Sequence, residues 1–290
     1  MQPISIVGPG AADLAGSLVD RLDGQVAVVD CAGESERVRR SADSEVTDGG
    51  VAVRRDDPDG DGGTAATADT TLSLHADGSW TGRGRVDGLD DLLDGLAPDH
   101  DYLVAVGESR LRVPTVLLGA DAEPADVPGS VVAVADGLDE VDLDRLVADL
   151  TDAEPWITRE TLVRRVEASA DADRSGAIAT FTGRVRARDA PDDNRTTHLA
   201  FEKYEGVAAE RMDAIEAELA ERDGVFEVRM YHRTGVIEAG EDIVFVVVLA
   251  GHRREAFRTV EDGIDRLKDE VPIFKKETTE TEEFWVHQRE

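Results

Sequence analysis

Residues 231–257 read YHRTGVIEAGEDIVFVVVLAGHRREAF, and this stretch decides the fold of the second half of the chain. Residues 242–249 are almost wholly apolar, and a run of that length with glycines nearby on both sides is typical of a buried strand. The residues after Gly251 show helical spacing of apolar side chains, which predicts a helix over 254–269. His252 and Arg253 therefore lie where a buried strand gives way to a helix.

The segments around this stretch complete an α+β pattern. Thr158 is a good helix N-cap residue, and two further helices and several long strands follow from the apolar spacing. We expect helices over 158–168 and 207–222, and strands over 176–186, 198–202, 226–232, 273–277 and 284–287. Long strands that lie close in sequence and are interrupted by helices favour mostly antiparallel pairing, so residues 156–290 are predicted to form an α+β domain.

The first half of the chain has the pattern of an α/β domain with a mostly parallel sheet. Short apolar strands alternate there with amphipathic helices, as buried parallel strands require. We expect strands over 4–7, 26–29, 102–106, 115–118 and 131–134, and helices over 11–22 and 138–150. The Gly-, Asp- and Thr-rich residues 56–71 have no period and predict a surface loop. This domain is placed at 1–150, with the boundary at 151–155.

Charge and composition exclude several classes of protein. The 290 residues include 63 acidic and 32 basic side chains, a formal charge of −31, so no basic face is available for nucleic acid. No apolar run approaches the roughly 20 residues of a membrane helix, and the N-terminus has no signal segment. The single Cys31 favours a cytoplasmic protein. An Asp-rich surface with four lysines is typical of halophilic proteins, in which salt screens self-repulsion.

Gly8, Pro9 and Gly10 follow a strand and open a helix, as a nucleotide-binding loop would. The stretch lacks the lysine that reaches the β- and γ-phosphates, and Asp13 puts a carboxylate where a phosphate would have to bind. We therefore favour a turn kept for packing and expect no tight binding of nucleotides. No spacing of His, Cys, Asp and Glu in the chain resembles a zinc site, so no metal is expected.

Basic residues of the second half are candidates for a site. Three of the four lysines fall within residues 268–276, in a chain that otherwise uses arginine, and a lysine can give up its proton where an arginine cannot. A solvated basic patch is the alternative interpretation. Arg184, Arg186 and Arg188 alternate along the predicted strand and could hold an anion on one face. His252 is as well suited to a helix cap as to catalysis.

Four segments together resemble the catalytic large subunit of molybdopterin synthase over about residues 156–290. They are GAIATFTGRVR (176–186), FEKYEGVA (201–208), the stretch 231–257 and LKDEVPIFKKET (267–278), followed by Trp285. The resemblance implies transfer of sulfur from the C-terminal thiocarboxylate of a small ubiquitin-like subunit to the substrate cyclic pyranopterin monophosphate. It implies no further cofactor. It also implies a homodimer through the C-terminal domain, with sites that draw on both large subunits.

The resemblance assigns roles to six residues. The family's active-site lysines fall on Lys268 and Lys275, and its anion- and pterin-binding positions fall on Arg186, His252 and Arg253, with Phe181 shaping the pocket. Residues 1–150 resemble a degenerate copy of the P-loop adaptor domain of molybdopterin-guanine dinucleotide biosynthesis, on the basis of ISIVGPG and DYLVAVGESRLRVPTVLLG. The remaining alternative is a non-catalytic scaffold of molybdenum-cofactor biosynthesis. The joint presence of the basic site residues argues against this alternative.

Overall fold

A computed structural model describes residues 1–31, 51–52, 67–86, 88–107, 110–119, 124–204, 206–280 and 283–286. The chain divides into two compact units, Met1–Trp156 and Ile157–Glu290. Trp156, which the sequence had placed in the second domain, belongs to the first. Its backbone N–H donates to the Met1 carbonyl at 2.8 Å, and its indole Nε1 donates to Asp94 at 2.7 Å.

The first unit is built on a five-stranded sheet in which every pair is parallel. Its strand order is β2-β7-β1-β8-β9. The strands of this unit are β1 Gln2–Val7, β2 Val26–Asp30, β3 Val51–Ala52, β4 Thr67–Ala68, β5 Thr71–Leu74, β6 Trp80–Arg83, β7 Tyr102–Val106, β8 Thr115–Leu118 and β9 Val131–Ala135. Its helices are α1 Ala11–Val19, α2 Leu89–Leu96 and α3 Leu143–Thr151. The predicted mostly parallel α/β domain is confirmed.

Both faces of this sheet are covered, which explains its continuously apolar strands. Ile4 and Ile6 of β1 pack with α1 and α3, whereas Leu103 and Ala105 of β7 pack with α2 on the other face. Helix α2 was not predicted, although its leucines at positions 89, 92, 93 and 96 have helical spacing, because a segment of eight residues is short for a helix.

Three boundaries in this unit differ from the sequence expectation. Helix α1 ends at Val19, three residues before the predicted end at residue 22. The helix predicted over 138–150 is a 3₁₀ turn, Leu138–Glu140, followed by α3, because the Asp142 carboxylate accepts the Arg145 N–H at 3.0 Å and caps a new helix. Of the loop predicted over 56–71, residues 56–66 lie outside the described residues. Thr67–Ala68 and Thr71 belong to short antiparallel strand pairs.

The second unit is an α+β domain in which every strand pair is antiparallel, as predicted. Its two sheets have the orders β10-β14-β12 and β13-β11-β15-β16. The strands are β10 Ala177–Arg184, β11 Thr196–Lys203, β12 Val225–His232, β13 Gly235–Glu238, β14 Asp242–Ala250, β15 Ile273–Thr279 and β16 Glu283–Val286. The helices are α4 Arg159–Glu167, α5 Val207–Ala220 and α6 Arg253–Glu270. Thr158 caps α4 as expected, accepting the Thr161 N–H at 3.1 Å.

Strand β14 is the centre of this unit, because both of its faces are buried. Val244, Val246 and Val248 face the core formed with α5 and α6, whereas Phe245 and Val247 face α4. Residues 242–249 are apolar without a break because each face of β14 packs against a different core. A strand with one exposed face would instead alternate apolar and polar residues.

Glu216 of α5 has a buried carboxyl group that ties the helix to β12. Its Oε1 accepts the Met230 N–H at 2.5 Å, and its Oε2 lies 3.4 Å from Nη1 of Arg229. Burial raises the pKa of the Glu216 carboxyl from 4.5 to about 7, although both contacts favour the ionised form. The folded state therefore binds this proton over a pH range in which the unfolded chain has lost it.

We expect the free energy of unfolding to fall as the pH rises from about 4.5 to about 7, by up to about 3 kcal/mol from this group. Replacing Glu216 by glutamine keeps the acceptor for Met230 and removes the titration, so the variant should show a flatter profile. Denaturant melts at constant salt, for both proteins across this pH range, measure the difference. Equal slopes for the two proteins would show that folding does not raise the pKa of Glu216.

Candidate functional site

The glycine turn of the first unit is explained by packing. Gly8 has a φ of 114°, and a Cβ there would lie 1.9 Å from the Leu118 carbonyl oxygen of β8. Gly10 has a φ of 83° and precedes α1 without a side-chain cap. Both glycines are therefore required by the close approach of β1 to β8 and by the left-handed start of the helix. This agrees with the interpretation of the turn as structural.

Helix α6 separates two of the predicted groups of site residues. His252 is its N-cap residue and Arg253 its first residue, whereas Lys268 lies in its last turn. Lys268 lies 15 positions after Arg253, which is about 22 Å along the helix axis. All three side chains are exposed. His252 makes no side-chain cap hydrogen bond, so the cap interpretation of this histidine receives no support.

Lys275 and Lys276 lie on opposite faces of the second sheet. Lys275 stands opposite Phe201 of β11, and Lys276 opposite Ala200. Directly opposite residues share a face of a sheet, and Phe201 is in the buried core, so Lys275 extends on the core side. Lys276 instead places its ammonium 5.8 Å from the centre of the Trp285 ring. Both side chains are half-buried, and of this adjacent pair Lys275 is the one that lies on the same face as the core.

Phe201 stands opposite Lys275 and contacts His232, and the sequence interpretation did not single out either Phe201 or His232. The two rings meet edge to face with their centres 4.9 Å apart, and His232 is buried. Its Nδ1 lies 2.7 Å from the Arg233 carbonyl oxygen, which is a donor geometry for Nδ1. Both residues stand in the motifs FEKYEG and YHRTG, but the apolar pattern alone could not show that these segments meet.

Of the three arginines of the predicted row, only Arg184 lies on β10. The strand ends at Arg184, so the predicted bound at residue 186 is wrong, although Arg184, Arg186 and Arg188 are all exposed. The irregularity between Gly183 and Arg184 breaks the strand pairing there. Arg184 pairs with Asp242 at 2.9 Å, and Arg186 pairs with Asp189 at 3.1 Å on an exposed surface. To bind an anion, Arg186 would have to give up its ion pair with Asp189, and an ion pair between exposed side chains contributes little to stability.

Phe181 lies in the middle of β10, opposite Val246 of β14. Its ring is half-buried and packs against the core shared by α5 and α6. Phe181 therefore lies between the two ends of the sheet. It is also distant in sequence from the lysines and from His252.

The remaining site residues divide between the two ends of the three-stranded sheet. Arg186 follows the end of β10 that pairs with Asp242. Helix α6 runs back along the sheet, because Glu255 lies near Gly224 and Gly263 lies near Val246, so Lys268 returns to the Arg186 end. His252 and Arg253 follow Ala250 at the other end. Strand β14 alone spans about 27 Å between those ends. Within one chain the predicted lysines and the His252–Arg253 pair are therefore not brought together.

Lys275 belongs to the end that holds Arg186 and Lys268. Phe201, opposite Lys275, contacts His232, and His232 pairs with Val244 near the start of β14.

The described residues contain no group of three His, Cys, Asp or Glu side chains placed to bind a metal ion. In the same part of the chain, no helix is long and apolar enough to cross a membrane.

Comparison with known proteins finds relatives of the whole chain and of its second half. The model of the family described as the MoaE protein matches residues 154–270. A protein of Haloferax volcanii named probable molybdopterin synthase is 51% identical over 290 residues, which cover 100% of both chains. A molybdopterin synthase catalytic subunit of Pyrococcus abyssi is 36% identical over 115 residues, which cover 39% of this chain and 74% of that protein.

The N-terminal part has a weaker structural likeness. A solved structure of molybdopterin-guanine biosynthesis protein B aligns with 51% of this chain and 97% of its own, at 17% identity and a TM-score of 0.29. At that score the alignment adds nothing to what the parallel sheet and the glycine turn establish. The assignment of residues 1–150 as an adaptor domain stays a prediction.

Proposed function

The chain belongs to the molybdopterin synthase family, and we propose that it acts as the catalytic subunit, transferring sulfur from the C-terminal thiocarboxylate of a small ubiquitin-like carrier to cyclic pyranopterin monophosphate. The observation that carries the proposal is the position of Lys275. It places an ammonium group on the core side of a sheet, beside Phe201, in a chain that otherwise has three lysines. A reaction among anions needs such a fixed, partly desolvated cation.

The chemistry assigns each basic group a task. In each transfer the thiocarboxylate sulfur bonds to a side-chain carbon of the pterin while a carbon–oxygen bond at that carbon breaks, and the displaced oxygen leaves as a phosphate oxygen or as water. Water then cleaves the acyl carbon–sulfur bond, which leaves a carboxylate on the carrier and a thiolate on the pterin. Lys275 and Lys268 would supply and remove protons at the acyl group, while Arg186, His252 and Arg253 hold the phosphate and the carrier tail. Phe181 would border the pterin. The proposal involves no resident cofactor and no metal ion.

We also propose that the working form is a homodimer through the second unit. The support is geometric: the lysines and the His252–Arg253 pair lie at opposite ends of the β10-β14-β12 sheet. A site that uses both groups needs one from each of two copies. Closed two-fold assemblies provide this twice, with one site at each junction.

The net charge and the cysteine content support two further proposals, one about the salt concentration and one about the location of the protein. We propose that the formal charge of −31 is tolerated because the chain works at high salt, where ions screen the repulsion. We propose a cytoplasmic location because Cys31 has no partner cysteine in the sequence. Assays of the protein should accordingly contain multimolar KCl.

The direct test of function is conversion of cyclic pyranopterin monophosphate to molybdopterin. The full chain is mixed with a thiocarboxylated small subunit in high salt, with an unmodified carboxylate subunit as the control. Product formed only with the thiocarboxylate supports sulfur transfer. A chain that binds the small subunit but forms no product would favour the alternative, a scaffold whose synthase site is inactive.

The second unit should fold and work without the first. All predicted site residues and both of its cores lie within Ile157–Glu290. We expect residues 157–290 to keep synthase activity within roughly threefold of the full chain, since inter-domain contacts are usually modest. The cut must follow Trp156, whose indole is held by Asp94. Circular dichroism and the synthase assay check this, and a folded but inactive fragment would show that the first unit contributes to the site.

A further inference from the structure

Four charged side chains form a closed ring between α5 and α6. On α6, Arg266 donates to Glu270 of the next turn at 2.7 Å and to Glu218 of α5 at 2.6 Å. Arg211 of α5 pairs with the same Glu270 and lies 3.9 Å from Glu218. Each arginine therefore interacts with one glutamate of its own helix and one of the other helix. These four residues are called the charge ring below.

The charge ring has the properties that make ion pairs stabilising. Isolated surface pairs contribute little, but networks of several charges with good geometry are the exception. The side chains of Arg266 and Glu270 are only 23% and 27% exposed. Partly buried pairs at hydrogen-bond distance are screened by salt much less than separated surface charges. We therefore expect the charge ring to persist in the high salt proposed for this chain.

The charge ring holds the last turn of α6, where a carboxylate is otherwise unfavourable. Glu270 is the final residue of the helix, and its negative charge lies at the negative end of the helix dipole. Helix ends also fray, because their last carbonyl groups lack intrahelical partners. Arg266 offsets the charge from within the helix, whereas Arg211 anchors Glu270 to a second helix. Arg211 therefore ties down the end of α6.

Lys268 lies in this last turn, on the flank of α6 opposite the charge ring. Residues four apart share a helix face, as Arg266 and Glu270 do, whereas a residue two positions from each lies roughly half a turn around the axis. The buried Ile264 and Leu267 lie between the two flanks, and Lys268 is exposed. Holding one flank fixes the rotation of the turn, and the rotation sets the direction in which Lys268 extends.

We propose that Arg211 is a positioning residue for Lys268 in sulfur transfer, because it fixes the last turn of α6 from α5. The proposal rests on the function proposed above, since it concerns a lysine of that site. Proton transfer needs the ammonium group within hydrogen-bond reach of the acyl group, and a misplacement of about 1 Å can cost on the order of 10²-fold in rate. Arg211→Ala is expected to lower kcat about tenfold and to leave KM for cyclic pyranopterin monophosphate within about twofold.

A second ion pair between the same helices supplies the matched control. Arg222, two residues after the end of α5, pairs with Asp262 of α6 at 2.5 Å, and Asp262 lies six positions before Lys268. Arg222→Ala removes a contact of the same chemistry and leaves the last turn of α6 held. We expect its kcat to stay within about twofold of the wild-type value. Thermal melts of both variants establish that each is folded at the assay temperature.

A double variant separates positioning from general weakening of the domain. In a Lys268→Ala background, Arg211→Ala should lower kcat no further, because the ammonium group that it positions is gone. The same tenfold loss in both backgrounds would overturn the proposal. A tenfold loss from Arg222→Ala would overturn it as well, since any contact between α5 and α6 would then have the same effect.

A nitroxide spin label at position 268 measures the hold on the last turn without turnover. Cys31 is the only cysteine of the chain, so Lys268→Cys in a Cys31→Ser background carries one label, at an exposed position. Arg211→Ala should make this label more mobile, and Arg222→Ala should not. Glu218→Gln weakens the charge ring more gently and should change the spectrum in the same direction, so it serves as the test if Arg211→Ala folds poorly. Unchanged mobility in both ring variants would show that the charge ring does not hold the last turn.

The rate and the label distinguish failure of this proposal from failure of the synthase function. A chain that makes molybdopterin at a rate that Arg211→Ala leaves unchanged refutes the positioning role and leaves the synthase function standing. A chain that makes no molybdopterin, but whose label is loosened by Arg211→Ala and not by Arg222→Ala, refutes the synthase function and supports the hold on residue 268.

Discussion

Lys275→Arg is expected to reduce molybdopterin formation by on the order of 10²- to 10⁴-fold, although the positive charge is kept. Guanidinium does not release its proton at any relevant pH, and its planar head needs more room than an ammonium group. Lys275 extends on the core side beside buried Phe201, where that room is limited. The measurement is the initial rate with the thiocarboxylated small subunit at saturating substrate.

The neighbouring lysine supplies the matched control for this prediction. Lys276→Ala should lose little activity, because Lys276 lies on the opposite face of β15 and contacts Trp285. Lys268→Ala should behave like the Lys275 variants. A pull-down of the small subunit by each variant separates lost binding from lost chemistry. A near wild-type rate for Lys275→Arg would mean that Lys275 acts only as a charge and that the proton-transfer role is wrong.

Mixing two inactive variants, Lys275→Ala and Arg253→Ala, is expected to restore activity. If each site takes its lysine from one copy and its arginine from the other, a mixed dimer has one site with both defects and one with neither. Random exchange at equal amounts leaves about a quarter of all sites intact. The recovered rate should therefore approach about a quarter of the wild-type rate, far above that of either variant alone.

The control for this experiment pairs two defects from the same end of the sheet. Lys268 and Lys275 lie at one end of one copy, so mixing Lys268→Ala with Lys275→Ala leaves a defect in every site and should restore nothing. The subunits are exchanged by brief dilution and reconcentration in high salt. Recovery in both mixtures, or in neither, would show that the lysines and Arg253 do not meet across two copies.

Much of the fold could be read from the sequence because its elements have strong local signals. The apolar run of β14, the cap at Thr158 and the spacing of α6 each predicted an element to within a residue or two. The failures have local causes. Helix α2 is short, and β10 stops at Arg184 because the pairing with β14 becomes irregular after Gly183. That irregularity depends on the partner strand, which a single segment does not reveal.

The sequence by itself determined the two architectures and the likeness to molybdopterin synthases, and it supplied the residues of the proposed site, because periodicity and motif order are properties of the chain. Only the tertiary structure decided that Lys275 faces the core and that Lys276 does not, since that depends on register with β11. It also decided that His252 and Lys268 lie at opposite ends of one sheet. Residues 16 positions apart can be neighbours in a loop, but a rigid helix holds them about 24 Å apart.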